Sequence, residues 1–171
     1  MRIREVVVLA GVAALGCNSA TAPAGGVSAT CQVTLSGAVS GSYNCYPATT
    51  LWTSASDSGG FTFGVTASGT RPLITAVVVW PGQPKDSTYT NTGSGAEAAI
   101  VVTNSASQTW TAAVGGGAAA TGSYSLTFTS VVQNGSGAGG IGYAADGTLN
   151  ATLPAVTASG ASGVVILTAT F

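Results

Sequence analysis

No histidine occurs anywhere in the 171 residues, and that decides most of what the chain can do as a catalyst. Ser-His-Asp and Cys-His catalysis, His-ligated metals and the usual general base near neutral pH are all removed. Carboxylates are what remain for acid–base work, and beyond residue 17 there are four: Asp57, Asp86, Glu97 and Asp146. A glycosidase-type pair would need two of them facing each other across a sugar. Their settings, Ser56-Asp57-Ser58-Gly59, Lys85-Asp86-Ser87 and Asp146-Gly147, are those of solvated turns, and Glu97 stands just ahead of an apolar run. The stretch Asp146-Gly147-Thr148-Leu149-Asn150 offers oxygen donors of the kind calcium takes, but without the acidic density of an EF-hand loop. We therefore expect no catalytic residue, no metal, no cofactor and no enzyme.

The aromatic side chains give the one positive lead to a ligand. Trp52 sits in the polar stretch Thr49-Thr50-Leu51-Trp52-Thr53-Ser54, and Trp80 ends an apolar run just before Pro81-Gly82. Sugar rings stack on such side chains when they are exposed, so Trp52 and Trp80 are candidate ligand-binding residues. The competing role is core packing, which Trp110 is expected to fill within its Thr-flanked run and which Trp80 could share. The glycine runs, Gly115-Gly116-Gly117 and Gly137 to Gly140, fall between β-rich segments, so they read as loops and not as phosphate cradles.

Charge is scarce. Beyond residue 17 the only cations are Arg71 and Lys85. A nucleic-acid binder needs a basic face to displace counterions from phosphates, so nucleic acid is excluded as a partner. The chain nevertheless keeps aromatic and β-branched residues, which disordered segments lack, so it is expected to fold. Ser, Thr, Asn and Gln must then solvate its surface.

The N-terminus follows the plan of a secretory signal. Arg2 and Arg4 precede an apolar run from Val6 to Leu15 that is closed by Gly16, and the run is too short to remain as a bilayer-spanning helix. The residues Ala14-Leu15-Gly16-Cys17 resemble the lipobox of small bacterial lipoproteins, with Ala and Leu exchanged relative to the usual order. The resemblance implies cleavage before Cys17, a diacylglyceryl group on Cys17 and a membrane as partner. It also implies an exported protein at the outer membrane or cell surface, because Asn18 is not the Asp associated in that family with inner-membrane retention. Residues 1–16 are then the signal peptide and 17–29 a flexible tether rich in Ala, Gly, Ser, Thr and Pro, reaching about 15–20 Å.

With Cys17 assigned to the anchor, Cys31 and Cys45 remain as an even pair in an oxidising compartment, and a disulfide between them is expected. Two thiols with no histidine make at most half a zinc site.

Residues 30–171 should form a single domain. From Cys31 onward short β-rich runs alternate with Gly/Ser/Asn/Pro clusters: 32–39, 42–46, 61–67, 73–80, 87–91, 98–103, 108–114, 123–132, 141–145, 148–153 and 164–171. Several runs alternate cleanly, with Val33 and Leu35, Phe61, Phe63 and Val65, or Tyr124, Leu126 and Phe128 on one face. Such alternation means one buried and one wet face per strand. Leu73–Trp80 is more continuously apolar and belongs inside a sheet, while Asp146-Gly147 has the chemistry of a tight hairpin turn, with one unbroken strand as the alternative. The expected fold is all-β, an antiparallel two-sheet β-sandwich of immunoglobulin-like or jelly-roll-like kind. A small outer-membrane β-barrel is the lesser alternative, because the chain ends on Phe171 after Val165, Leu167 and Ala169; sparse aromatics argue against its girdles.

The functional expectation is a lipid-anchored surface or periplasmic protein with a non-enzymatic structural or interaction role, its partner a glycan or another envelope protein. The alternative is a carbohydrate-binding module using Trp52 and Trp80.

Overall fold

The computed structural model describes residues 31–46, 48–92, 95–114, 121–137 and 140–171; the segments expected to be signal and tether, with Cys17, lie outside them. The chain is all-β, as its alternation requires. The first strands are β1 (Gln32–Gly37), β2 (Gly41–Asn44), β3 (Thr49–Thr53), β4 (Ser58–Val65), β5 (Leu73–Pro81) and β6 (Thr88–Thr90). They are followed by β7 (Glu97–Thr103), β8 (Thr109–Val114), β9 (Ser123–Gly137), β10 (Gly140–Pro154) and β11 (Val164–Thr170). One short 3-10 turn, Thr157–Ser159, links the last two.

All pairings are antiparallel, and the strands make one open sheet in the order β2-β1-β11-β10-β3-β4-β5-β7-β8, with β9 on β10 and β6 on β9. Its two wings lie over each other as a sandwich. The C-terminal part of β10 belongs to the wing of β11, β1 and β2, and the N-terminal part to the wing of β3, β4, β5, β7 and β8.

The long β9–β10 hairpin is the corner between wings. Its register shifts twice, between Gly142 and Tyr143 and between Asp146 and Gly147, leaving Asn134 and Thr129 as extra residues on β9. Such bulges bend a strand and raise its twist, which is what turning from one layer to the other demands. Asp146-Gly147 therefore marks a bend inside one continuous strand, the alternative to the hairpin turn that its residues first suggest. A side chain at Gly147 would run into the Thr127 carbonyl and the Phe171 ring. The Thr129 hydroxyl donates to the Asp146 carbonyl at 3.1 Å, holding the outer bulge.

The core lies between the wings, and each strand delivers its alternate residues to it: Val33 and Leu35, Phe61, Phe63 and Val65, Ile74, Ala76, Val78 and Trp80, then Leu149, Ala151 and Leu153. Rings clasp across the layers. Phe61 packs on Phe171 at 4.5 Å and on Phe128 at 5.7 Å, while Trp80 stacks on Tyr89 at 4.5 Å. Trp110 is buried, as expected, and its indole N–H donates to the Ser162 carbonyl at 3.1 Å. An isolated bridge from Trp110 to Ala155 ties β8 back to the end of β10.

The membrane-barrel alternative does not fit this arrangement. Membrane barrels are apolar outside and polar within. Here the interior is apolar, the outward positions of β1 are Gln32, Thr34 and Ser36, and the ends of the sheet, β2 and β8, do not pair with each other. Phe171 is a core side chain: it is buried, and its backbone exchanges hydrogen bonds of 2.8 and 3.1 Å with Gly147.

Candidate functional site

Cys31 and Cys45 form a disulfide, with Cα atoms 5.1 Å apart, inside the span such bonds require. The local chain explains the pairing. Gly37 and Gly41, both at positive φ (93° and 151°), turn β1 back into β2, and the Cys45 N–H then donates to the Cys31 carbonyl at 3.0 Å. One residue later the Tyr46 N–H donates to the Gly64 carbonyl at 3.0 Å on the other wing. The bridge thus fastens the place where the chain leaves one layer for the other.

The two candidate tryptophans part company. Trp80 is only 1% exposed and lies against Gly59, where a side chain would collide with the indole. Its ring faces are occupied by the core, so it has none to offer a sugar, and its Nε1 is buried without a hydrogen-bond partner. Alternation would have shown this, since Trp80 continues the buried face of Ile74, Ala76 and Val78. Trp52 is half-buried on β3, a strand that its Thr-rich, weakly apolar sequence concealed.

The surroundings of Trp52 form a small hydrogen-bonded polar cluster. Its Nε1 donates to Asp57 Oδ1 at 3.2 Å, across the turn Ser54–Asp57 that joins β3 to β4. Thr53 and Ser56 share a hydroxyl hydrogen bond of 2.6 Å, and the Asp57 carbonyl accepts the Gly82 N–H at 2.7 Å. Asp57 itself has φ 44°, a left-handed conformation that Asp tolerates better than most residues. Beside this turn a shallow open cleft of about 320 Å³ is lined by Asp57, Trp80, Pro81 and Glu97, among others. Register brings Glu97 there, since it pairs with Val79 while Pro81 pairs with Ser58. Forty positions apart in sequence, one in a turn setting and one ahead of an apolar run, the two carboxylates show no relation there.

Chemically the cleft offers two carboxylates, Asp57 and Glu97, and one oxygen of Asp57 already accepts the Trp52 indole N–H from beside it. Among the described residues no three of His, Cys, Asp or Glu gather in a metal-binding group. Burial raises the Tyr124 hydroxyl to about 12, with the nearby charge of Glu97 adding to the effect, and burial likewise raises Tyr89 against a smaller opposing contribution from the Lys85 backbone. Both tyrosines remain neutral near pH 7 and neither is poised as a base. Comparison with protein-family models, with curated proteins and with solved structures finds no match.

Proposed function

We propose that this chain is a lipid-anchored protein of the bacterial envelope, cut ahead of Cys17 and held at the outer membrane or cell surface, that acts through surface contact and not through catalysis. The observation that carries the reading is the Cys31–Cys45 bridge: a closed disulfide suits an oxidising compartment, which is where the leader and the lipobox-like Ala14-Leu15-Gly16-Cys17 would send the domain. The rest of the chemistry supports it. The chain has no histidine, and its charges are too few for a polyanion partner. Carbohydrate binding through a pair of exposed tryptophans loses half its basis, because Trp80 belongs to the core.

Fractionation of cells making the native chain and its Cys17→Ser variant tests the reading. The native protein should sediment with membranes and take up labelled palmitate, and the variant should do neither. Palmitate-free native protein in the soluble fraction would overturn it.

A further inference from the structure

The bulge near the tip of the β9–β10 arm falls on Asn134-Gly135, the one Asn-Gly pair in the sequence. Gln133 lies opposite Tyr143 and Gly135 opposite Gly142, so Asn134 has no residue facing it, and a ladder is disrupted locally where such an extra residue enters. Asn134 and Gly135 are both exposed. The Asn134 carboxamide lies against the Gly142 backbone, its Oδ1 2.9 Å from where a side chain there would begin, and among the described residues no side-chain hydrogen bond holds it. A side chain at Gly135 would meet nothing within 4 Å, and glycine leaves the backbone there free to turn.

The neighbouring chemistry makes the contrast. For an asparagine to react with its own chain, the N–H of the next residue must be free to attack. After Asn44, the Cys45 N–H is spent on the Cys31 carbonyl at 3.0 Å; after Asn91, the Thr92 N–H points to the Thr90 hydroxyl at 3.4 Å. Asn104 is fixed by its own amide, whose Oδ1 accepts from the Ala106 and Gln108 N–H groups at 3.0 Å and whose Nδ2 donates to Gln108 Oε1 at 2.9 Å. Asn150 precedes Ala151, which is buried between Tyr124 and Leu167 with strands in register on both sides. Asp146-Gly147, at the other bulge of the same arm, has its glycine buried and the Gly147 N–H donating to the Phe171 carbonyl at 2.8 Å.

We infer that Asn134 is a site of spontaneous covalent modification. The Gly135 backbone nitrogen attacks Asn134 Cγ, closing a five-membered succinimide; the Cγ–Nδ2 bond breaks, and the proton lost by the nitrogen leaves with the amide as ammonia. Water then opens the ring at one carbonyl or the other. The product is aspartate or, with the main chain rerouted through the side-chain methylene, isoaspartate. Asparagine and water are consumed, an acid and ammonia are released, and no electrons are exchanged. In so uncharged a chain the result is large. Beyond residue 17 there are two cations and four carboxylates, so a fifth carboxylate moves the net charge from −2 to −3. Isoaspartate also lengthens β9 beside Gly142, whose partner on its other side is Leu51 of β3.

The test holds the full-length protein, purified in detergent, warm at mildly alkaline pH in water enriched in heavy oxygen, native and in urea, and maps its peptides by mass. The expected result is heavy oxygen in a new carboxyl group at residue 134 of the native protein, at a rate within about tenfold of the unfolded chain because opening an exposed bulge costs little. The rate should rise with hydroxide, since the attacking nitrogen must shed its proton, and Asn44, Asn91, Asn104 and Asn150 should stay unlabelled in the native protein. Isoelectric focusing should show an acidic species growing at the same rate. Asn134→Gln, whose longer side chain disfavours the ring, should abolish that species, and Gly135→Ala, whose methyl enters empty space, should slow it several-fold. Melting temperatures within a few degrees of the native protein show that each variant is folded. No label at residue 134 in the native protein, label first at another asparagine, or an acidic species that persists in Asn134→Gln would each overturn the inference. None of these outcomes depends on acylation of Cys17, so this site and the envelope placement fail separately.

Discussion

Breaking the Cys31–Cys45 bridge should weaken the fold by an amount that chain statistics fix in advance. The two residues are 14 apart in sequence. Closing a loop of about 15 residues in the unfolded chain removes roughly 10 cal/mol/K of entropy, or about 3 kcal/mol at room temperature. The native hairpin around the bridge keeps its backbone bonds, including Cys45 N–H to the Cys31 carbonyl at 3.0 Å, so most of that figure should appear as lost stability. For a domain of about 140 residues the entropy of unfolding near the midpoint is about 0.3 kcal/mol/K, which converts the loss to roughly 10 °C in Tm. The assay is urea unfolding of the oxidised protein, of the same protein with dithiothreitol, and of the double variant Cys31→Ala with Cys45→Ala. Reduction and substitution should agree within about 1 kcal/mol, and both forms should still fold cooperatively, because the strands that line the core hold without the bridge. A difference below about 1 kcal/mol, or free thiols in the oxidised protein, would refute the reasoning.

Adjacent glycines should respond in opposite ways. Gly59→Ala drives a methyl into the Trp80 indole and should destabilise by about 2 kcal/mol, whereas Gly60→Ala meets open space and should change stability by less than about 0.5 kcal/mol, both read by urea midpoints. Phe61→Ala empties the contact among Phe61, Phe128 and Phe171 that joins the wings and should lower unfolding free energy by about 3–5 kcal/mol. Tyr124 has its folded hydroxyl raised to about 12, so its neutral form is the one that folding favours. Its contribution is complete below the unfolded value of about 10 and is lost as pH rises from there through 12. Stability should therefore fall by about 1–2 kcal/mol over that window, less steeply in Tyr124→Phe.

How much of this was legible beforehand follows from where the information lies. Alternation along single strands is local, so the buried faces of β1, β4, β5 and β9 could be assigned from residues such as Val33, Phe61, Ile74 and Leu126, and the all-β class with them. The cysteine pair was readable by parity. Strand β3 was missed because Thr49-Thr50-Leu51-Trp52-Thr53 sends only Thr50 fully into the interior, and a buried threonine looks in sequence like a solvated one. Asp146-Gly147 misled because the residues that suit a hairpin turn also suit a bulge; whether the chain reverses there depends on Ser130 and Phe128, which it pairs with. Trp80 misled because Pro81-Gly82 behind it suggested an exposed loop, while its parity with Val78 already placed it inward. The Asp57–Glu97 cleft was invisible for a deeper reason: it is a product of register across three strands, β4 beside β5 and β5 beside β7, and no local pattern encodes which strand will be a neighbour.

Everything functional here depends on the domain being exported and tethered, and intact-mass spectrometry of the native protein extracted from membranes measures that directly. The account predicts a chain that begins at Cys17, lacks residues 1–16 and carries acyl groups on that cysteine, with a further deficit of two protons for the closed Cys31–Cys45 bridge. A mass equal to the full 171 residues, or a cleaved chain with Cys17 unmodified or absent, would contradict it.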